Sequence, residues 1–458
     1  MKLEHCVSAL LAVGLAAPAL ATDGYFSHGY GMTAKGMAGI STPMAKDTFG
    51  GANNPASMVW VGDRLDAGMD VFLPHRSAER SGSLAGIDAS VPSRSNFFLI
   101  PEFGYNKMLG QDRDMAVGVT VYANGGMNTN YPGGQIAGGP GTVCNSFNPG
   151  TATTRYNILC GTGELGQNTL QLVVAPTFSF KVSPDSSLGA ALLIGYQKFG
   201  GRGLHGFAGF TANPANPAIT NLGYDSSHGF GLRLGWMSNV TDRVTLGAAY
   251  ATKMRMSKFD MYKDLFPGWG NFDIPSNMSL GIAYKLSPAW TIASEYRRIN
   301  LTGVSSAGNP STNIGDAVAA TGYTLGSLGC DTCRGFGWRD VNAYKFGVEH
   351  QYNANLALRA GYDHSNRPLR PRDITFNIIA PGVIEDHLTA GFTYKLNKNS
   401  ELTMAYMHAF KRSLTAPSLL NNWVTTTGGA PGGIGIAGNE TLKLYEDSIG
   451  IAYGLKFQ

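Results

Sequence analysis

From Arg64 onward, apolar and polar residues alternate with a period of two through long stretches separated by turn-forming clusters. Such alternation marks strands with one face against an apolar medium and the other against water. Strands are predicted near 64–76, 94–108, 114–127, 168–182, 187–202, 227–239, 243–258, 273–286, 289–301, 339–352, 355–367, 383–396, 400–412 and 442–457, fourteen in all. Their connections also alternate. Short polar turns fall at Gly110-Gln111-Asp112, Ser183-Pro184-Asp185, Asn239-Val240-Thr241-Asp242, Ser287-Pro288, Asn353-Ala354-Asn355 and Asn397-Lys398-Asn399, and long Gly-, Asn- and Pro-rich loops lie between them. An even strand count puts both ends of a membrane barrel on its periplasmic side.

The facing of these strands follows from charge, because a midplane Lys or Arg on the lipid side costs about 2–4 kcal/mol. After Asp242, the outward row reads Val244, Leu246, Ala248, Tyr250, Thr252, Met254, and the inward row ends on Lys253 and Arg255. Trp290, Ile292, Ser294 and Tyr296 oppose Thr291, Ala293, Glu295 and Arg297; Leu356, Leu358, Ala360 and Tyr362 oppose Ala357, Arg359, Gly361 and Asp363. A slip of one residue would move these charges into lipid, so the register is strongly specified. The final strand sets Ile449, Ile451, Tyr453, Leu455 and Phe457 outward and resembles the aromatic-ended strand read by the barrel assembly machinery, except that Gln458 follows the aromatic.

Residues 22–62 show neither period. Gly24, Gly29, Gly31, Gly36 and Gly39 suit tight turns and close backbone approach, and the stretch closes on Asn54-Pro55-Ala56. It reads as a plug inside the barrel; the alternative is a disordered periplasmic linker. Tyr25-Phe26-Ser27-His28-Gly29, Ala34-Lys35-Gly36-Met37-Ala38-Gly39 and Asn54-Pro55-Ala56, in that order before a barrel pattern, resemble the N-terminal hatch of the outer-membrane long-chain fatty-acid transporters, the FadL-type family. The resemblance implies a 14-stranded antiparallel outer-membrane barrel, plugged by the hatch, that moves long-chain fatty acids or other hydrophobic small molecules by binding and hatch rearrangement. It also implies ligand contact at Phe26, and a third-strand kink, for which Gly125 and Gly126 are the candidates, that opens a lateral exit. The expected division is a signal peptide over 1–21, the hatch over 22–62 and the barrel over 63–458.

Composition supports this picture. Charged residues are 14% of the 458, against about 25% in ordinary globular chains. Lys2, an apolar run from Val7 to Ala17, and Ala19-Leu20-Ala21 form a secretory signal with Thr22 as the mature start, and no later run is long enough for a membrane helix. A net charge of +4 is too small to suggest nucleic acid. Of the five cysteines, Cys6 leaves with the signal. Cys144 and Cys160 share one loop and Cys330 and Cys333 another, which suggests disulfide staples, although three connectivities exist. Neither a thioredoxin-like nor a zinc context surrounds the Cys-x-x-Cys.

Fourteen strands enclose more space than wall side chains fill, so the lumen needs a plug or becomes a pore. The inward register groups Arg233, Lys253, Arg255 and Arg297 opposite Asp66, Asp70 and Glu102. The basic group is a candidate carboxylate site, and the alternative is lumen charge that pairs with the plug. His350, His364 and His408 face outward and His387 inward near Glu385, without a nucleophile, so no catalytic residue, metal or cofactor is expected. Rival readings are a hydrocarbon transporter on the same fold, a general porin or adhesin-like barrel, and an outer-membrane lipase. The expected surroundings are outer-membrane lipid and lipopolysaccharide, around a monomer.

Overall fold

A computed structural model of the chain describes residues 23–139, 142–147, 155–212, 215–313, 327–422 and 437–457. The signal peptide expected over 1–21 lies outside these. Fourteen long strands form the wall: β1 (Arg64–Ser81), β2 (Phe98–Leu109), β3 (Met115–Tyr131), β4 (Leu165–Ser183), β5 (Ser186–Arg202), β6 (Asp225–Asn239), β7 (Val244–Ala251), β8 (Asn277–Lys285), β9 (Trp290–Ile299), β10 (Val341–Gln351), β11 (Leu356–Ser365), β12 (Asp386–Lys395), β13 (Ser400–Pro417) and β14 (Asn439–Lys456). Each pairs antiparallel with its neighbours in sequence, and β14 returns to β1 from Asn439↔Ser81 to Lys456↔Arg64, so the ring closes. Closure leaves no free sheet edge. Two short strands are added to the wall, Ala89–Pro92 on β1 and Arg255–Met256 on β6, and a two-stranded ribbon pairs Ile136–Ala137 with Arg155–Tyr156.

All six short turns lie on one side, between β2 and β3, β4 and β5, β6 and β7, β8 and β9, β10 and β11, and β12 and β13. The side chains obey the period of two. Phe230, Leu280, Ile282, Tyr344, Phe346, Ile449 and Ile451 are exposed on the outside, where a barrel meets lipid. Between them Arg233, Glu295, Arg297, Lys345, Arg359 and Asp363 are buried inside. The long loops carry the two disulfides, Cys144–Cys160 and Cys330–Cys333.

The N-terminal segment before β1 lies inside this ring, and residues 23–40 are all buried. It contains a single helical turn at Met32–Lys35 and short 3-10 turns at Phe49–Gly51 and Pro55–Trp60. So little regular structure leaves many backbone donors and acceptors for the wall to satisfy.

One predicted facing is wrong. β7 stops at Ala251, after which Met254 bridges Ile274 and, with Met256, turns inward. Lys253 and Arg255 therefore face outward and are exposed, with Lys253 Nζ 3.2 Å from the Gly303 carbonyl. The Thr252 backbone still donates to Leu232, while its hydroxyl accepts from the Leu232 N–H, so an irregular turn of chain replaces the ladder there.

Candidate functional site

Lumen charge is arranged around the N-terminal segment. Lys345 Nζ lies 2.9 Å from Asp23 Oδ2 and 3.1 Å from Asp363 Oδ2, and donates to the His28 carbonyl at 2.6 Å. Arg297 donates to the Ser27 carbonyl at 3.0 Å and sits 3.5 Å from Asp23. Burial works to raise the Asp23 pKa, but Lys345 and Arg297 outweigh it and hold the carboxyl down at about 2. His28, buried beside Lys345, is pushed well below the usual histidine range. Further round the ring, Lys35 pairs with Asp70 at 2.7 Å and lies 3.8 Å from Glu102. Glu295 accepts from the Ser41 and Thr42 N–H groups, and Asp66 from the N–H and hydroxyl of Thr48.

Asn54-Pro55-Ala56 forms the second attachment. The Asn54 side chain caps the following 3-10 turn by accepting from Ala56 N–H, and donates to the carbonyls of Thr42 and of Trp236 on β6. Pro55 occupies the first turn, where its missing N–H is not needed. The wall is bare opposite this motif. A Cβ on Gly235 would lie 2.0 Å from Asn54 Oδ1, and one on Gly189 would lie 2.4 Å from the Pro55 carbonyl carbon. Gly189 and Gly235 are cross-strand partners, as are Gly247 and Gly281 beneath Thr42-Pro43, and Gly347 and Gly361 beneath Met37-Ala38. Strand glycines of this kind mark close backbone approach. The sequence signal for them was an inward glycine between two apolar residues, as in Leu188-Gly189-Ala190 and Leu234-Gly235-Trp236.

β3 departs from regular pairing at its middle. Its register with β4 shifts between Ala123 and Gly125, leaving Asn124 bulged, and the strand continues through Gly126 to Tyr131. The N-terminal segment docks on this bulge: Phe26 bridges Gly125, Gly126 N–H donates to the Tyr25 carbonyl, and the Asn124 carbonyl accepts from Ser27 N–H and the Tyr30 hydroxyl. On its other side, β3 pairs with β2 only from Leu109↔Met115 to Phe103↔Val121, although both strands run on. The wall is therefore unzipped between Phe98–Glu102 and the stretch above Val121. Arg76 of β1 spans this region by donating to the Asn128 and Ser95 carbonyls.

Two cavities lie in sequence along the lumen. The outer one is formed by the long loops, with Phe199, Phe207, Phe266, Phe336 and Phe376 in its lining and Arg334 as the ionisable group among its described residues. Burial lowers the Arg334 pKa only to about 10, so it is charged at neutral pH. The inner cavity is narrow and lies between β1, β3 and β14, with Gly24 and Tyr25 of the N-terminal segment and Trp338 also in its lining. Ile379 borders both.

The sequence-derived candidates separate on this geometry. Arg233, with Arg297, is buried against the N-terminal segment, donating to the Asn53 carbonyl at 3.1 Å, and neither lines the two cavities. Lys253 and Arg255 are outside the lumen, which corrects their assignment to a carboxylate site. Phe26 is fully buried next to Tyr25, with ring centroids 5.1 Å apart. His387 faces inward, but its carboxylate neighbour is Asp363 at 3.7 Å, because Glu385 precedes β12 and lies near Arg412. Sequence reasoning missed Arg76, Arg334, Trp338 and Glu446 as cavity residues.

Residues 17–418 match the family model for outer membrane protein transport proteins (OMPP1/FadL/TodX). No curated relative matches the chain. Among solved structures, the toluene transporter TodX of P. putida aligns with a TM-score of 0.62 at 17% identity, covering 94% of this chain and 99% of that one. The toluene transporter TbuX of Ralstonia pickettii gives 0.60 at 16% identity, covering 94% and 99%. A Pseudomonas aeruginosa FadL homologue gives 0.59 at 14% identity, covering 95% and 100%. Identities this low speak for the fold alone, whereas the family model spans most of the sequence. The chain belongs to the OmpP1/FadL/TodX family of outer-membrane transport proteins.

Proposed function

We propose that this protein carries neutral hydrophobic molecules of about the size of an alkylbenzene across the outer membrane. The observation that supports this most directly is the pair of apolar cavities bordered by Ile379, the inner of which abuts the unzipped stretch of β3. A hydrophobe leaving water is taken up by the outer aromatic lining, passes Ile379, and leaves through the wall beside the bulge rather than down the plugged axis. The N-terminal segment acts as the hatch: Gly24 and Tyr25 border the inner cavity, so movement there gates it. That two structural neighbours are toluene transporters favours the same cargo.

Uptake of labelled toluene by cells whose only such transporter is this protein tests the reading. Leu204→Glu, which puts a charge in the outer cavity, is expected to reduce uptake at least tenfold while the barrel stays heat-modifiable in gels. Unchanged uptake would remove the cavity from the route. Long-chain fatty acids are the second reading, favoured by Arg334 in the outer lining. If they are the cargo, Arg334→Leu lowers oleate uptake and leaves toluene uptake alone.

A further inference from the structure

The polar side of the inner cavity has a feature that hydrocarbon transport does not use. Phe72, Met127 and Leu444 supply apolar lining, and Arg76 and Glu446 supply the charged groups. Glu446 is fully buried, yet neither of its carboxyl oxygens has a hydrogen-bond partner among the described residues. Asp66, Asp70, Glu102, Glu295 and Glu349 each hold a donor, and Asp363, whose oxygens also lack a hydrogen bond, has the Lys345 ammonium 3.1 Å away. Arg76 makes no hydrogen bond to Glu446: its terminal nitrogens donate to the Asn128 and Ser95 carbonyls, and its Nε is itself without a partner. Buried carboxyl groups in folded proteins are nearly always hydrogen-bonded, so one left without a protein donor beside a cavity takes its partner from what enters the cavity, a water or the hydroxyl of a ligand.

Ionised or protonated, Glu446 offers at least one acceptor oxygen. A carboxylate ligand would set more acceptors and a like charge against it, and a hydrocarbon would leave it unsatisfied. The lining carries one cation and one acid, so it does not call for an ionic ligand. We propose that Glu446 determines specificity in the inner cavity and that the cavity accepts a neutral apolar molecule bearing a hydroxyl, a phenol or an alcohol, whose O–H donates to the Glu446 carboxyl. This rests on the reading that the inner cavity lies on the transport route.

The test is calorimetric titration of the full-length protein in lipid nanodiscs with p-cresol and with toluene, which share a ring and methyl group and differ by one hydroxyl. The hydroxyl makes p-cresol the better hydrated of the two, so a preference for it requires a hydrogen bond in the site. Wild type is expected to bind p-cresol roughly tenfold more tightly than toluene, about one hydrogen bond's worth of discrimination. Glu446→Leu should abolish the preference for p-cresol over toluene, while Glu446→Gln, which keeps an acceptor oxygen, retains part of it. Equal binding of both molecules by wild type, or a preference that survives Glu446→Leu, overturns the inference and leaves the transport reading standing. Binding of neither by folded wild type counts against the cavity as a transport site, and with it the inference. Should Glu446→Leu not fold, the wild-type ratio and Glu446→Gln decide.

Discussion

Asp47 and Asp23 give the N-terminal segment opposite responses to pH. Burial and the neighbouring Asp66 push the Asp47 carboxyl up to about 7. The folded state then binds more protons than the unfolded chain between the ordinary aspartate value and about 7, so stability falls as pH rises through that window. Asp23 is held at about 2, and its contribution is complete above the ordinary aspartate value and lost as pH falls towards 2. Protection factors across residues 40–60, corrected for the intrinsic exchange rate at each pH, are therefore expected to be larger at pH 5.5 than at pH 8, and Asp47→Asn should remove that difference. Lys345 is the residue on which Asp23 and Asp363 depend. Lys345→Met leaves two buried carboxylates without their ammonium and should cost about 3–5 kcal/mol, the usual penalty for breaking a buried pair. Urea titration of the heat-modifiable form would measure it, and a loss under about 1 kcal/mol would show that Arg297 suffices.

At the scale of strands and turns, the contact between Asn54-Pro55 and the Gly189/Gly235 pair has no slack. Gly235→Val should displace Asn54 and cost its hydrogen bonds to the Thr42 and Trp236 carbonyls, about 1–3 kcal/mol together. Protease cleavage within residues 45–60 is expected to rise while the barrel remains folded; a protected segment would show that the wall yields instead. Much of this layer was readable in the sequence, because the period of two sets the facing of Trp290 to Arg297 and of Leu356 to Asp363 locally. The facing failed at Lys253, where the bridge between Met254 and Ile274, twenty residues apart, overrode the local period. Charge signs were legible too, but not partners: that Lys345 serves Asp23 and Arg297 the Ser27 carbonyl depends on how the ring closes. Unpaired Glu446 left no mark in the sequence, since being unpaired is a property of its neighbours.

For the molecule as a whole, the N-terminal segment and the wall form one unit. Removing residues 23–53 should turn a closed barrel into a pore with large, steady conductance in planar bilayers, because the wall alone surrounds an aqueous channel. Equal conductance with and without the segment would mean that the loops close the lumen. The glycine pairs under Thr42-Pro43, Met37-Ala38 and Asn54-Pro55 bear on when this unit forms as well as on how it fits. They leave no clearance of even a methyl group between segment and wall, so a finished ring offers no gap through which the segment could be threaded. The expected order of assembly is therefore the segment first and the β1–β14 seam after it, so a barrel refolded without residues 23–53 should not take up the free segment added afterwards.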